Sequence, residues 1–271
     1  MKIYFNINLI FILIILLILY LIIYNLIIDP FTFITDNFIH NKGLLVLFGE
    51  SFREGTQGTR LRDTENSYNP QKLACESHIE FCNYIKQIYN VNMDILINTY
   101  DTKYENDLKS WYTNYNLSYM TNPELLGNNN IAQQALNTVN TDNYDFVLIT
   151  RIDILLKPYF FNIFNPYSNK VNFICNNWTL WHTHFEYNNI NFPCVNPTII
   201  FIPKKYFKIL SNINIEHDAW VHYYKNFNMH NDDMGFMVDY YHDADSYKDY
   251  NPYYKMVSRP ETYIWYDRNK K

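Results

Sequence analysis

Hydrophobic residues fall along this 271-residue chain in three distinct patterns. The first is continuous. Residues 9–28 carry no charge, and about 20 apolar residues suffice to cross a bilayer as a helix. A cleaved leader has a shorter apolar core of about 7 to 15 residues and a small-residue cleavage site, so the pattern predicts an uncleaved signal anchor. The second pattern is a set of short apolar runs bounded by turn residues, at 43–49, 93–99, 117–120, 144–150, 171–175 and 198–202. Such runs read as strands buried on both faces. The third has helical spacing. Asn69-Pro70 offers a cap and a proline at the first helical position, and Leu73, Ile79, Cys82, Ile85 and Ile88 continue the stripe to Tyr89. Further helices are predicted near 105–112, 130–139, 204–210 and 219–224. Another is expected at 234–238, capped by Asn231 with Asp232 and Asp233 at its positive end.

Strands alternating with helices predict an α/β fold with a mostly parallel, doubly wound central sheet. Lys2 is the one basic residue before the apolar run, and Asp29 and Asp36 follow it, a bias toward a cytoplasmic amino terminus. The expected organisation is a cytoplasmic tail (1–8), a transmembrane anchor (9–28), a short stem (29–42) and one lumenal or extracellular domain (43–271). That domain matches the roughly 200 to 250 residues common for a single α/β unit. A net charge of −5 with no basic stripe argues against a nucleic-acid partner. The 26 tyrosines accompany an excess of Asn, Ile and Lys, which reads as AT-rich coding rather than as a sugar-stacking surface. Four cysteines are too few for a disulfide scaffold. Cys75 and Cys82 would stand roughly 10 Å apart along a helix, too far to bridge, whereas Cys175 and Cys194 are candidates to pair in an oxidising compartment. Asn116-Leu117-Ser118 and Asn177-Trp178-Thr179 are glycosylation sequons, consistent with a lumenal domain.

Two segments carry candidate chemistry. The run at 144–150 ends in Arg151-Ile152-Asp153, and α/β folds place ligands at the carboxyl ends of their strands. Taken alone, an Arg-x-Asp is a surface ion pair closing a strand. The polar segment after the first strand holds Arg53, Arg60 and Arg62 with Gly55 and Gly58, two of the six glycines in the chain. Guanidinium groups match phosphate bidentately, and glycine lets backbone amides approach an anion. No Walker or Rossmann glycine pattern is present, so a solvated loop is the other reading. Trp181-His182-Thr183-His184 lacks a third ligand in zinc spacing.

On Leu47-Phe48-Gly49-Glu50-Ser51-Phe52-Arg53 and Thr150-Arg151-Ile152-Asp153, within a type II membrane layout, the chain resembles membrane-anchored nucleotide-sugar glycosyltransferases of the GT-A type. It looks most like members with Arg-x-Asp where others have Asp-x-Asp. The resemblance, over about 43–260, implies a Rossmann-like GT-A nucleotide-diphospho-sugar transferase fold, a nucleotide-sugar donor and a glycan or protein acceptor. Arg53, Arg60, Arg62, Arg151 and Asp153 would bind the donor. Asp153 can hold manganese or magnesium through oxygen, with His242 or Asp245 completing the site, while Arg151 cannot ligate a metal and leaves that dependence open. Asp232 or Asp233 would serve as the catalytic base, helix capping being the alternative. Trp178, Trp181 and Trp220 are either acceptor-stacking or core residues. Two other functions remain: a non-catalytic sugar-binding or scaffold protein on the same fold, or a sulfotransferase. The latter needs a loop rich in Ser, Thr and Lys where this chain has arginines.

Overall fold

Strand β1 (Lys42–Phe48) lies at the middle of the sheet because its sequence permits burial on both faces, with Leu44 through Phe48 at most 2% exposed. The computed structural model describes residues 42–55, 61–123, 126–174, 184–196, 198–238 and 253–257. β1 pairs in parallel with β4 (Asn92–Tyr100) on one side and with β6 (Phe146–Arg151) on the other. β5 (Leu117–Asn122) extends the sheet beyond β4, again in parallel. Beyond β6 come β11 (Ile199–Pro203), antiparallel to its neighbours, then β8 (Val171–Phe173) and β12 (Met234–Phe236). The seven strands stand in the order β12-β8-β11-β6-β1-β4-β5. The expected mixed α/β architecture with a mostly parallel sheet is therefore present.

Alternate side chains of each strand feed opposite cores. On one face Leu45, Leu47 and Leu148 pack against α1 (Glu65–Tyr89), α2 (Glu105–Trp111) and α4 (Pro158–Ile163) through Phe81, Ile85, Leu108, Phe160 and Phe161. On the other, Leu44, Val46 and Ile149 meet α3 (Asn128–Leu136), α5 (Ala219–Phe227) and the 3-10 segment Lys204–Asn212 through Ile131, Ala135, Ile209 and Trp220. The chain divides at His40. The tail, the anchor at 9–28 and all of the stem before Lys42 lie outside the described residues. Among those described, no helix is long and apolar enough to cross a membrane.

Two local expectations are corrected, and one element was not anticipated. α1 begins at Glu65, a turn before Asn69, because the Thr64 hydroxyl caps it by accepting from the Ser67 amide at 3.2 Å. Pro70 thus sits inside the helix, near its start, where it cannot donate to the carbonyl of the exposed Asn66. Residues 231–236 are a turn followed by β12 rather than a helix. The Asp233 amide donates to the His230 carbonyl at 2.9 Å, and Met234 then pairs with Val171. Gly235 permits that pairing, since a Cβ there would meet Asn172 Oδ1 at 2.9 Å. Finally, β9 (His184–Tyr187) and β10 (Ile190–Pro193) form a hairpin that the sequence pattern did not suggest. Its turn, Asn188-Asn189, takes φ of 52° and 62°, which asparagine tolerates.

The crossing of β1 over Phe146 makes a test of this packing. A Cβ on Gly43 would lie 2.3 Å from the Phe146 ring and 2.7 Å from the Met93 sulfur. Gly43→Ala should lower the unfolding free energy in urea by about 1–3 kcal/mol through overpacking; an unchanged midpoint would contradict the placement of β1.

Candidate functional site

Progress along the chain takes β1 to β4 on one side and then to β6 on the other, so the sheet has its switch point between the carboxyl ends of β1 and β6. The two segments singled out in the sequence meet there. Phe48 pairs with Arg151, and the Ile152 amide donates to the Phe48 carbonyl at 2.9 Å, extending the ladder one residue past the strand. Gly49 leaves β1 with φ of 103° and open space where a Cβ would stand, so its backbone conformation alone requires glycine. Phe52 adopts φ of 50°, costly for a bulky residue. Its ring is fully buried, with centroids 4.9 Å from Tyr104, 5.8 Å from Trp111 and 5.9 Å from Tyr68, and this box holds the loop in place. The Ser51 amide donates to Thr99 Oγ1 at 3.2 Å, anchoring the loop to the end of β4.

Arg53 opens the two-residue strand β2 (Arg53–Glu54) and pairs with Arg62 in β3 (Leu61–Arg62). Its guanidinium is buried and stands 3.5 Å from the Glu50 carboxylate. The Arg62 guanidinium lies 5.5 Å from the centre of the Tyr100 ring and donates to the Asp101 carbonyl, at the carboxyl end of β4. Arg151 grips Asp153 with two parallel bonds, Nε to Oδ1 at 2.8 Å and an Nη2 bond to Oδ2 at 2.6 Å. The pair is layered: the Asp153 side chain is 2% exposed and that of Arg151 18%, so solvent meets the guanidinium first. The structure therefore gathers Arg53, Arg62, Arg151 and Asp153 along one edge of the sheet. Arg60, His242, Asp245, Cys175, Trp178, Trp181 and the second sequon lie outside the described residues.

Asp232 and Asp233 do not join this corner. They precede β12 at the opposite, amino end of the sheet, roughly 17 Å back along the strand direction from Arg151 and about 14 Å across it. The Asp233 carboxylate accepts from the His230 amide at 2.9 Å and from the Tyr206 hydroxyl at 2.6 Å. The His230 amide first, then the Tyr206 hydroxyl, hold its pKa below the ordinary carboxylate range, which suits a structural acceptor better than a base. The pair is thus not brought together with Arg151 and Asp153, and stands at the other end of the strands. Trp220 is a core residue, buried between Phe173 at 5.9 Å and Phe236 at 5.1 Å.

A divalent ion does not fit the described part of the corner. Both Asp153 oxygens face the Arg151 guanidinium, Glu50 faces Arg53, and among the described residues no three His, Cys, Asp or Glu side chains converge. A cation on Asp153 would sit against a fixed positive charge.

Further residues that fix this geometry lie on α1, and none was identified from sequence. Gln71 is 1% exposed; its Oε1 accepts from the Phe52 amide at 3.1 Å and its Nε2 donates to the Ile152 carbonyl at 2.9 Å. One side chain thereby ties the loop after β1 to the turn after β6. Two turns further on, His78 Nε2 donates to the Ile154 carbonyl at 2.7 Å, which fixes the tautomer and leaves Nδ1 to accept from the Tyr112 hydroxyl at 2.9 Å. Ser77 Oγ accepts from the Leu156 amide at 3.0 Å. These bonds hold β7 (Ile154–Leu156), which also pairs with β13 (Tyr254–Met256), and the Val257 amide donates to the Asp153 carbonyl at 2.9 Å. A signal did exist: Gln71 and His78 interrupt the buried stripe of Ala74, Cys75, Phe81, Cys82 and Ile85 at helical spacing. Burial pushes the Cys75 thiol up to about 12, so it is an inert core group.

No protein-family model matches the chain, and no curated protein is similar to it. Several solved structures are similar in trace. One is a protein from Desulfovibrio desulfuricans G20 described as a nucleotide-diphospho-sugar transferase, at 14% identity over 76% of this chain and 84% of that one, with a TM-score of 0.43. Drosophila β1,4-galactosyltransferase 7, in complex with manganese, UDP-Gal and xylobiose, is 12% identical over 85% and 78% with a TM-score of 0.41. HddC from Yersinia pseudotuberculosis is 11% identical over 82% and 95% with a TM-score of 0.44.

Two measurements test the clamp. Gln71→Ala leaves a buried amide and a buried carbonyl unmatched and should cost roughly 2–4 kcal/mol in urea unfolding, with hydrogen exchange faster at Phe52; a cost below about 0.5 kcal/mol would show that the bridge is not made. Burial first, opposed by the Ile154 bond and the nearby Asp153 charge, lowers the His78 pKa to about 4 from its ordinary 6.5. The unfolded chain then binds the extra proton between those values. Stability from neutral His78 should be complete above about pH 6.5 and decline, by up to about 3 kcal/mol, as pH falls toward 4. His78→Gln should show a shallower decline over that window in pH-dependent denaturation.

Proposed function

We propose that this protein is a nucleotide-sugar-dependent glycosyltransferase, held as a type II membrane protein by residues 9–28, with its domain on the lumenal or extracellular side and a glycan or protein as acceptor. The observation that carries this reading is the convergence, at the β1/β6 switch point, of the arginine-bearing loop and the Arg151–Asp153 fork. In the transfer, the bond between the anomeric carbon and the β-phosphate oxygen breaks with its electron pair left on the oxygen. The acceptor hydroxyl forms the new bond to carbon and releases its proton to a base or to water. The departing nucleoside diphosphate gains a unit of negative charge, and preorganised cationic donors at that point lower the barrier. Arg151 presents its guanidinium outward over Asp153, and Arg62 extends the positive edge along β4. A sulfotransferase has no counterpart here for a Ser, Thr and Lys-rich phosphosulfate loop.

The test is a screen of the purified full-length chain against a panel of nucleotide sugars, scoring both binding and release of nucleoside diphosphate. At least one donor should be bound and consumed, and Arg151→Ala should weaken its binding about 10- to 100-fold, as expected for a charged hydrogen-bonded contact. Binding without turnover would favour a sugar-binding protein on the same fold; no binding to any donor would remove the reading altogether.

A further inference from the structure

An acceptor hydroxyl must lose its proton during transfer, and the carboxyl edge of the sheet holds a carboxylate placed to take it. Asn98 pairs with Phe48, and Phe48 with Arg151, so the three lie level at that edge. Asn98 Nδ2 donates to the Ile131 carbonyl at 2.8 Å and fixes the start of α3 at the same level. The chain after the 3-10 segment climbs this helix toward its start. The Ile213 amide donates to Gln133 Oε1 at 2.8 Å, and the Ile215 amide to Asn129 Oδ1, one turn nearer the helix start, at 2.7 Å. His217 is tied elsewhere. Its Nδ1 donates to the Val195 carbonyl and its own carbonyl accepts from the Val195 amide, both at 3.0 Å. Val195 leads into β11, whose first residue, Ile199, pairs with Thr150 beside Arg151, and the Thr150 hydroxyl donates to the Thr198 carbonyl at 3.0 Å. Glu216 therefore stands between a tie to α3, which packs on β1 and β4, and a tie to the approach to β11, the neighbour of β6. At Glu216 the chain passes the β1/β6 switch point.

Buried polar groups hold this loop. Asn214, 7% exposed, accepts the Glu216 amide at 2.8 Å through Oδ1 and donates through Nδ2 to Asp218 at 3.0 Å, while its carbonyl accepts the Tyr223 hydroxyl at 2.7 Å. The Glu216 side chain differs from its surroundings. The residue is half-buried, and its carboxylate makes no hydrogen bond to any described residue. Other carboxylates at this edge are engaged or remote: Glu54 accepts from Thr64 and Asp63 from Thr102, and Asp101 is exposed beyond β4, two strands from Arg151. An unmatched, partly buried charge is costly, and such groups gather at reactive sites. Burial first, opposed by the His217 charge and reinforced by that of Asp218, raises the Glu216 pKa from the ordinary carboxylate value, the direction of a stronger proton acceptor.

We propose that Glu216 is the general base that takes the proton of the acceptor hydroxyl, an assignment that rests on the glycosyltransferase reading above. The hydroxyl oxygen forms its bond to the anomeric carbon as the bond from that carbon to the diphosphate oxygen breaks, with the electron pair left on the oxygen. The proton passes to a Glu216 carboxylate oxygen, and water removes it once the product has left. Attack on the side opposite the leaving group inverts the anomeric centre. A base in this place also relieves a constraint on Asp232 and Asp233, which stand at the other end of the strands.

The test follows release of nucleoside diphosphate by the purified full-length chain from UDP-glucose, UDP-galactose, UDP-N-acetylglucosamine and GDP-mannose, with water standing in as acceptor. Glu216→Gln keeps the shape and removes the charge. It should keep the thermal midpoint, bind the donor in calorimetric titration within about threefold of the parent, and lower kcat about 100-fold or more. Azide is a nucleophile with no proton to remove, so in Glu216→Ala it should restore release by about 10-fold or more and yield the glycosyl azide of inverted configuration. A Glu216→Gln chain with kcat within about threefold of the parent, one that loses donor binding, or a slow Glu216→Ala chain that azide does not restore would each overturn the assignment and leave the glycosyltransferase reading standing. If the parent consumes no donor, both fall.

Discussion

A buried polar seam between α1 and the chain leaving β6 holds the functional edge together. Backbone groups buried away from water need partners, and residues Ile152 to Leu156 leave the main sheet just where β6 ends, so their carbonyls and amides cannot all be matched by neighbouring strands. α1 supplies the partners through Gln71, Ser77 and His78. Each is embedded in an otherwise apolar stripe, so each bond forms in a low-dielectric setting where losing a partner is costly. Because Gln71 also accepts from Phe52, the same seam sets the spacing between the loop after β1 and the turn after β6.

This seam explains why the corner is rigid although it is built from loop. The β1 loop passes through left-handed conformations at Gly49, Phe52 and Gly55, an arrangement that stands only where the surroundings over-determine it. The aromatic box around Phe52, the Ser51 bond to Thr99 and the Gln71 bridge provide that support from three directions. Charge is then arranged on this backbone: the Arg151 guanidinium lies over the Asp153 carboxylate, and Arg53 stands beside Glu50.

The sheet order and the corner were legible in the sequence to different depths. Strands β1, β4 and β6 were readable because a strand buried on both faces must be apolar throughout, and their ends therefore located Arg53, Arg62, Arg151 and Asp153 at the carboxyl edge of the sheet. Gln71 and His78 were overlooked, since a polar residue on an apolar helical stripe shows in sequence only as an interruption, and what it bonds to is distant in the chain by 81 and 76 residues respectively. Asp232 and Asp233 were misplaced for the converse reason. Their local sequence suits a helix start, but Met234 gains more by pairing with Val171 at the edge of the sheet, where Gly235 allows close approach to Asn172.

Local sequence thus determined the central strands β1, β4 and β6, the polar groups at their carboxyl ends, and the arginines that follow the first and central strands, because burial demands and side-chain chemistry act residue by residue. Tertiary structure alone decided that Arg151 covers Asp153, that Asp232 and Asp233 lie at the far end of the sheet, and that a glutamine and a histidine on α1 hold the corner. Those outcomes depend on which backbone groups are left unmatched once the strands are assembled, a quantity that exists only in the folded chain.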